Sequence, residues 1–246
     1  MSPDLELARA LADAADAMSL PRFRSGLAVE TKPDLTPVTE ADHAVEDELR
    51  ALLAQARPRD AILGEEQGTT GSGPRRWILD PIDGTRNYAR GVPVWATLVA
   101  LEDAGAIRVG VVSAPALGRR WWAERGHGAF TGGERLEVSS VARVEDAVLS
   151  FAYEHGMPDI AGRAWHVRGF GDFWAHMLVA EGAVDGAIDA LGLSEWDLAA
   201  VQVIVEEAGG RFSDLSGAPR IDGRGAITSN GHLHDELLSS VARQLG

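Results

Sequence analysis

The chain has 246 residues, of which 45% are hydrophobic and 24% are charged, and its 23 Lys and Arg face 37 Asp and Glu. This composition is typical of a globular protein long enough to bury its own core, and it excludes a disordered or collagen-like chain. The net charge of −14 disfavours a nucleic-acid partner and favours a cationic ligand, and the lack of cysteine excludes disulfides and thiolate metal sites.

The first 60 residues contain two stretches with helical spacing of apolar side chains. One predicts an amphipathic helix over residues 4–18, which carries acids between its apolar positions and does not have the pattern of a signal peptide. The second predicts a helix over residues 40–57, in which Thr39 before the helix and Asp42 in its first turn have the spacing of a capping box. A Pro-containing loop over residues 31–37 is predicted between them.

Short apolar runs bounded by Gly, Pro or Asp predict buried strands in the following part. The predicted strands are residues 61–63, 77–79, 94–101, 107–112, 119–124 and 148–153, with a Gly-rich loop at 68–73. Three further helices are predicted at residues 172–181, 197–208 and 234–244. We find no repeat, no linker and no apolar run near the ~20 residues of a membrane span. We therefore expect one α/β domain over residues 1–246, without a membrane partner and in the cytoplasm.

Three short segments concentrate carboxylates among apolar residues, namely residues 64–66, 77–85 and 196–200. Asp80 ends an apolar run, and ligands of α/β proteins bind at the carboxyl ends of such strands. Asp83, Gly84 and Thr85 then open a short predicted helix, whose free N–H groups suit a phosphate.

These segments contain no Lys or Arg before Arg86, so the acids need another counter-charge. Oxygen ligands favour Mg²⁺ over Zn²⁺, and two such ions would neutralise four carboxylates. The arrangement is typical of metal-assisted phosphoryl hydrolysis. The four acids are Glu65, Asp80, Asp83 and Asp197.

The three segments together closely resemble the inositol monophosphatase family of Mg²⁺-dependent, lithium-sensitive phosphatases. Residues 126–130 and 207–210 extend the resemblance over nearly the whole chain. It implies an α/β fold, the layered alpha-beta-alpha-beta-alpha sandwich of the inositol monophosphatase and fructose-1,6-bisphosphatase type. It also implies a homodimer that acts on a small phosphate monoester.

The resemblance assigns roles to individual residues. It implies a metal site for two or three Mg²⁺ formed by Glu65, Asp80, the Ile82 carbonyl, Asp83 and Asp197. It implies a catalytic set that orients the attacking water, formed by Glu65, Thr85 and Asp42. It implies a substrate-binding set formed by Asp83, Gly84, Thr85, Arg168, Asp172, Asp189 and Asp197.

The substrate is suggested by Asp172, which stands where inositol-type members usually have a small residue. With Asp189 nearby, a carboxylate there matches an ammonium or imidazolium group better than a neutral polyol. This pattern resembles the branch of the family that hydrolyses L-histidinol phosphate in histidine biosynthesis. The alternative keeps the chemistry with inositol-1-phosphate or a related sugar or nucleotide phosphate.

Simpler explanations exist for several of these residues. Asp42 and Asp172 could each serve as an ordinary helix cap, Arg168 could be a surface residue, and Glu65 could belong to a solvated acidic pair with Glu66. Two other functional classes also stay open: a metal-responsive binding module without turnover, and a two-carboxylate glycosidase.

Overall fold

The computed structural model describes residues 1–25, 29–31, 37–153 and 157–245, so residues 32–36 of the predicted Pro-containing loop lie outside the described residues. The helices are α1 (Pro3–Arg22), α2 (Glu40–Ala56), α3 (Thr85–Arg90), α4 (Asp172–Ala180), α5 (Glu195–Glu207) and α6 (His234–Leu245). The strands are β1 (Val29–Thr31), β2 (Pro37–Thr39), β3 (Ala61–Gly64), β4 (Gly68–Thr70), β5 (Arg75–Asp83), β6 (Ala96–Asp103), β7 (Ala106–Ala114), β8 (Arg119–Glu124), β9 (Gly128–Thr131), β10 (Glu134–Arg135), β11 (Val148–Ala152), β12 (His166–Arg168), β13 (Gly186–Asp189), β14 (Arg211–Ser213) and β15 (Ala226–Ser229).

Two mixed sheets form the framework, beside the small β1–β2 pair. The larger sheet has eight strands in the order β10-β9-β8-β7-β6-β5-β3-β4, and the smaller has five in the order β12-β11-β13-β15-β14. Most pairs are antiparallel, but β3 pairs with β5 in parallel, and β11 runs parallel to both of its neighbours. The carboxyl ends of β3 and β5 therefore meet at one edge of the larger sheet.

Buried apolar side chains divide the molecule into five layers. One cluster joins α1 and α2 to the outer face of the larger sheet, through Leu11, Leu49 and Trp77 among others. A second cluster places α4 and α5 between the two sheets, and a third packs α6 on the outer face of the smaller sheet. The predicted alternation of helical and sheet layers is therefore confirmed.

Most predicted elements are present, with two kinds of difference. The predicted loop at residues 68–73 begins with the short strand β4, which pairs with β3. Several strands of two to four residues, such as β9 and β12 to β15, were not predicted, because so short a segment has no measurable periodicity. Within the described residues, no helix is long and apolar enough to cross a membrane.

Helix α5 packs closely on the larger sheet. Gly110 of β7 lies beneath it, and a Cβ atom at this position would lie 2.5 Å from Val203 Cγ1 and 2.8 Å from the Ala200 carbonyl oxygen. The lack of a side chain at Gly110 therefore allows α5 to approach β7.

A buried histidine in the middle layer makes stability depend on pH. His176 of α4 lies with Nδ1 2.8 Å from Thr228 Oγ1, and within the described chain its Nε2 has no partner. Burial lowers the pKa of His176 to about 4, against about 6.5 in an unfolded chain. Its contribution to stability is therefore complete above pH 6.5 and is lost as the pH falls towards 4.

We expect His176→Gln to reduce the pH dependence of stability in this window. In the parent protein, His176 should account for a loss of about 2 kcal/mol in the free energy of unfolding between pH 8 and pH 5, and the variant should lack this part. Urea unfolding at both pH values measures the difference. His232→Gln, which changes an exposed histidine, should behave as the parent. An unchanged pH response of His176→Gln would contradict the prediction.

Candidate active site

Two aspartates of β5 reach the same cavity because the strand is irregular between them. In a regular strand, residues three apart point to opposite faces. Here Asp80 pairs with Leu98 and Asp83 with Ala96, so three steps along β5 oppose two steps along β6. The extra residue forms a bulge between Asp80 and Asp83, where the Pro81 carbonyl oxygen accepts a hydrogen bond from Thr97 Oγ1 at 2.8 Å. The bulge turns Asp83 to the side on which Asp80 lies.

The first turn of α5 contributes the third carboxylate. Asp197 stands at the third helical position and forms a capping box with Ser194, whose N–H donates to Asp197 Oδ2 at 2.6 Å. Asp80, Asp83 and Asp197 each place one carboxylate oxygen within 4.8 Å of the others. Such a spacing suits one hard cation shared by three oxygen ligands.

The electrostatic cost of this cluster is greatest at Asp80. Its side chain is 1% exposed, and neither of its oxygens has a hydrogen-bond partner within the described residues. Burial raises the pKa of Asp80 well above its usual value, and the charges of Glu65 and Asp83 raise it further. A divalent cation would supply the counter-charge that this buried carboxylate lacks.

The other two acids of the cluster show the same effect, moderated by hydrogen bonds. Burial raises the pKa of Asp83 well above its usual value, although the N–H of Phe173 lowers it by donating to Oδ2 at 2.7 Å. Burial also raises the pKa of Asp197 to about 7, against the opposing effect of the Ser194 N–H. The donor set therefore fits Mg²⁺, which prefers carboxylate and carbonyl oxygens.

The cluster forms one wall of a cavity of about 220 Å³. The cavity is lined by Glu65, Asp80, Ile82, Asp83, Gly84, Thr85, Arg86, Asp172, Leu191, Gly192, Leu193, Ser194, Trp196 and Asp197. The structure therefore brings eight of the predicted site residues together, from four separate parts of the chain. Glu65 follows β3 directly, and its N–H donates to the Leu79 carbonyl of the neighbouring strand.

Thr85 and Asp42 are connected at the edge of this cavity. Thr85 Oγ1 lies 2.9 Å from the Ile82 carbonyl oxygen and 3.3 Å from Asp42 Oδ1. The other oxygen of Asp42 accepts from the N–H and the hydroxyl of Thr39, at 2.8 and 2.7 Å, which completes the capping box of α2. Asp42 is therefore a helix cap, as the simpler explanation had it, and also a partner of Thr85.

Gly84 occupies a position that only glycine suits well. Its φ of +78° lies in the left-handed region, and a Cβ atom would lie 3.1 Å from the Val94 carbonyl oxygen and 3.5 Å from Asp172 Oδ2. Gly84 precedes α3, so its backbone passes along the cavity wall without a side chain in the way.

Asp172 is not the N-cap of α4, which was one of the two explanations left open. The cap residue is Gly171, and the first N–H groups of α4 are bound by other carboxylates. The N–H of Asp172 donates to Asp189 Oδ2 at 3.1 Å, and that of Phe173 donates to Asp83. The Asp172 side chain lines the cavity from a strained backbone with φ of +52°.

The remaining predicted substrate residues lie elsewhere. Asp189 is 1% exposed and lies beneath the cavity wall, where its Oδ1 also accepts from the Leu191 N–H at 3.2 Å. Burial raises the pKa of Asp189 to about 7. Arg168 is exposed at the end of the edge strand β12 and is not among the residues that line the cavity. Its role as a substrate contact stays a prediction.

Several cavity residues were not predicted. Arg86, the loop 191–193 and Trp196 all line the wall. Burial raises the pKa of Asp172, and the positive charge of Arg86 partly offsets this rise. Arg86 follows Thr85 directly and is the first basic residue after the acidic segment. This position in the sequence could have identified Arg86 as a site residue. The loop 191–193 has no polar side chain that would mark it as part of a site. Its Leu191 N–H donates to Asp189, a contact that the sequence does not predict.

The layered α/β fold, its buried acidic cavity and the known proteins that the chain resembles identify a phosphoric monoester hydrolase. A model of the inositol monophosphatase family matches residues 1–245, and the chain belongs to this family. The histidinol-phosphatase of Streptomyces coelicolor is 54% identical, over 96% of this chain and 95% of the relative. The histidinol-phosphatase of Mycobacterium tuberculosis is 52% identical, over 97% of both chains.

A solved structure adds the ligands that one relative binds. The chain superposes on the crystal structure of an IMPase/NADP phosphatase complexed with Mg²⁺ and phosphate, with a TM-score of 0.85 and 25% identity. The match covers 95% of this chain and 93% of that one. The fold described here is therefore one that holds Mg²⁺ and phosphate in another protein.

We expect Asp80→Asn to stabilise the protein when no divalent cation is present. The amide removes a buried charge and can donate to the neighbouring carboxylates, so Tm in EDTA should rise by roughly 3–6 °C, equivalent to about 1–2 kcal/mol. The same change should remove most of the stabilisation by Mg²⁺. Thermal unfolding with EDTA and with Mg²⁺ measures both effects.

The matched control is Asp235→Asn, which removes an exposed carboxylate of α6 in another layer. This variant should keep the full Mg²⁺ response. A lower Tm of Asp80→Asn in EDTA, or an undiminished response to Mg²⁺, would show that the cluster is not a site of uncompensated charge.

Proposed function

We propose that the protein hydrolyses L-histidinol phosphate to L-histidinol and phosphate in a Mg²⁺-dependent reaction. The observation that carries the choice of substrate is the Asp172 carboxylate, which lies on the cavity wall and is not used as a helix cap. A substrate with an ammonium and an imidazole group offers positive charge to a cavity that is lined by five carboxylates and one arginine. The names of the two relatives that are more than 50% identical support the same substrate.

We propose two or three Mg²⁺ ions, held by the carboxylates of Glu65, Asp80, Asp83 and Asp197 and by the Ile82 carbonyl oxygen. When bound, such ions lower the pKa of a water molecule and stabilise the charge that develops on the phosphoryl and leaving oxygens. The support is the unpartnered, buried carboxylate of Asp80 and the purely oxygen donor set around it.

The other residues of the proposed catalytic set act on the water and the phosphate. Thr85 Oγ1 lies within hydrogen-bond distance of the Ile82 carbonyl oxygen and of Asp42 Oδ1, so its hydroxyl donates to one of these acceptors and its oxygen can accept from a water molecule in the cavity. A water donating to Thr85 Oγ1 is thereby oriented, and Glu65 on the same cavity wall can accept its proton. The backbone amides of Gly84 and Thr85, at the start of α3, are placed to bind phosphate oxygens.

Asp172 and its neighbours would recognise the alcohol portion of the phosphate ester. The Asp172 carboxylate lies near Gly84 and 3.5 Å from Asn87 Nδ2, in the lining of the same cavity that holds the acidic cluster. A charge-assisted hydrogen bond to an ammonium group is stronger than a bond to a neutral hydroxyl. We therefore propose that Asp172 contacts the substrate directly, and that Asp189 positions it from below.

We also propose that the protein is a homodimer in the cytoplasm. The family resemblance supports the dimer, and a role in amino-acid biosynthesis supports the compartment. Trp165, with 71% of its surface exposed, and Met157 are apolar side chains that a partner subunit would cover. Light scattering after size-exclusion chromatography tests the oligomeric state.

We expect the parent protein to release phosphate from L-histidinol phosphate with a kcat/KM well above that for inositol-1-phosphate, and to lose activity in EDTA. Asp172→Asn should lower kcat/KM for L-histidinol phosphate about 10- to 100-fold, because a charge-assisted contact is lost. Asparagine tolerates a left-handed backbone, so the φ of +52° should be kept. Steady-state kinetics on both substrates measure the effect.

The second substrate is the control within this experiment. Activity on inositol-1-phosphate should change less than threefold, because its ring is uncharged. An equal loss on both substrates would contradict a charge-specific role of Asp172. Activity of the parent on inositol-1-phosphate alone would favour the alternative alcohol. Absence of phosphate release with Mg²⁺ would favour the binding module.

A further inference from the structure

An arginine outside the cavity connects the two elements that carry the acidic cluster. Arg76, near the start of β5, donates from Nε to Glu102 Oε2 at 2.7 Å and from Nη2 to Glu195 Oε2 at 2.5 Å. Arg76 and Glu102 are direct cross-strand neighbours in the β5–β6 pair, so the sheet itself holds the guanidinium in place. Glu195 is the first residue of α5, two residues before Asp197.

The first turn of α5 is therefore fixed from both of its sides. Residues two apart on a helix point about 200° apart, so when Glu195 points to Arg76, Asp197 points away from it, into the cavity. On β5, alternate residues share a face, which places Arg76 and Asp80 on the same side of the strand, about 13 Å apart. The turn thus lies along this face, with an ion pair at one end and the acidic cluster at the other.

The acidic cluster exerts a force that this ion pair can resist. Three carboxylates with oxygens within 4.8 Å repel one another when no cation is present. Asp80 and Asp83 are fixed by the same strand, whereas Asp197 belongs to a helix. Withdrawal of the start of α5 is therefore the simplest relaxation, and the Arg76–Glu195 contact opposes it.

We infer that Arg76 is a positioning residue, which holds Asp197 near Asp80 and Asp83 through Glu195 and thereby increases the affinity of the cavity for a divalent cation. This inference rests on the metal site of the proposed function. Arg76 itself lines a separate surface groove with Glu102, Glu195 and Ile107, and it is not among the residues of the acidic cavity. Its effect on a cation would therefore be indirect.

The sign of the effect separates positioning from simple electrostatics. Removing a positive charge near a cation site should tighten cation binding if only the charge matters. If Arg76 holds α5 in place, its removal should weaken binding, because Glu102 and Glu195 then also repel each other. Arg76→Met thus gives opposite results under the two explanations.

The chain offers a matched control on the same helix. Arg125 donates to Glu206 Oε2 at 2.5 Å and ties the other end of α5 to the segment after β8. The two ion pairs have similar exposure, with 25% and 29% for Arg76 and Glu195 and 31% and 23% for Arg125 and Glu206. Arg125→Met should therefore lower stability to a similar extent without displacing Asp197.

The experiment measures Mg²⁺ binding by the free, full-length protein, from Tm across a Mg²⁺ titration. We expect Arg76→Met to raise the half-saturating Mg²⁺ concentration 3- to 10-fold, and Arg125→Met to change it less than twofold. Should Arg76→Met not fold, Arg76→Lys keeps the positive charge but loses the guanidinium that bonds both Glu102 and Glu195. It should raise the half-saturating concentration about 2- to 5-fold, whereas a pure charge effect predicts no change.

An unchanged or lower half-saturating concentration for Arg76→Met, or an equal rise for Arg125→Met, would overturn the inference. No substrate is present, so the result does not depend on which phosphate ester the enzyme hydrolyses. A parent protein that shows no Mg²⁺ response at all would overturn the proposed metal site and this inference together. If the parent responds to Mg²⁺ but Arg76→Met and Arg125→Met have the same half-saturating Mg²⁺ concentration, only this inference is overturned.

Discussion

The arrangement of the site follows from mutual repulsion among buried carboxylates. Asp80, Asp83 and Asp197 place carboxylate oxygens within 4.8 Å of one another. The Asp80 side chain is almost completely buried from solvent. An isolated ionised carboxylate is strongly destabilised in such an environment, and two like charges beside it increase the cost. The folded chain tolerates this cost because the layers on either side are densely packed and hold β5 and α5 in place.

Helix starts supply part of the compensation. Asp42 caps α2, Asp197 caps α5, and the first N–H groups of α4 donate to Asp83 and Asp189. Each of these carboxylates thus accepts hydrogen bonds at the positive end of a helix dipole, which stabilises its charge. Asp80 receives no such donor within the described residues. The carboxylate whose negative charge is still uncompensated is therefore Asp80. A cation shared with Asp83 and Asp197 would compensate it.

Much of this could be predicted from the sequence, because the informative residues are close together in the chain. The capping box of Thr39 and Asp42 is a local pattern, and the order of acids and glycine around β5 is local as well. The bulge is different: strand alternation alone assigns Asp80 and Asp83 to opposite faces, and only Pro81 within the run indicated an irregularity. The donors to Asp83 and Asp189 could not be predicted, since they join residues 90 and 17 positions apart.

The contact between Asp83 and α4 also separates the acidic cluster from the side chain of Asp172, which we propose selects the alcohol. Backbone N–H groups of Asp172 and Phe173 make the bonds to Asp189 and Asp83, so these bonds do not depend on which side chain stands at residue 172. A different side chain there would change the cavity wall while α4 stays anchored to the acidic cluster. Specificity for the alcohol can therefore vary on this scaffold without displacement of the carboxylates, provided that the residue at 172 tolerates a left-handed backbone.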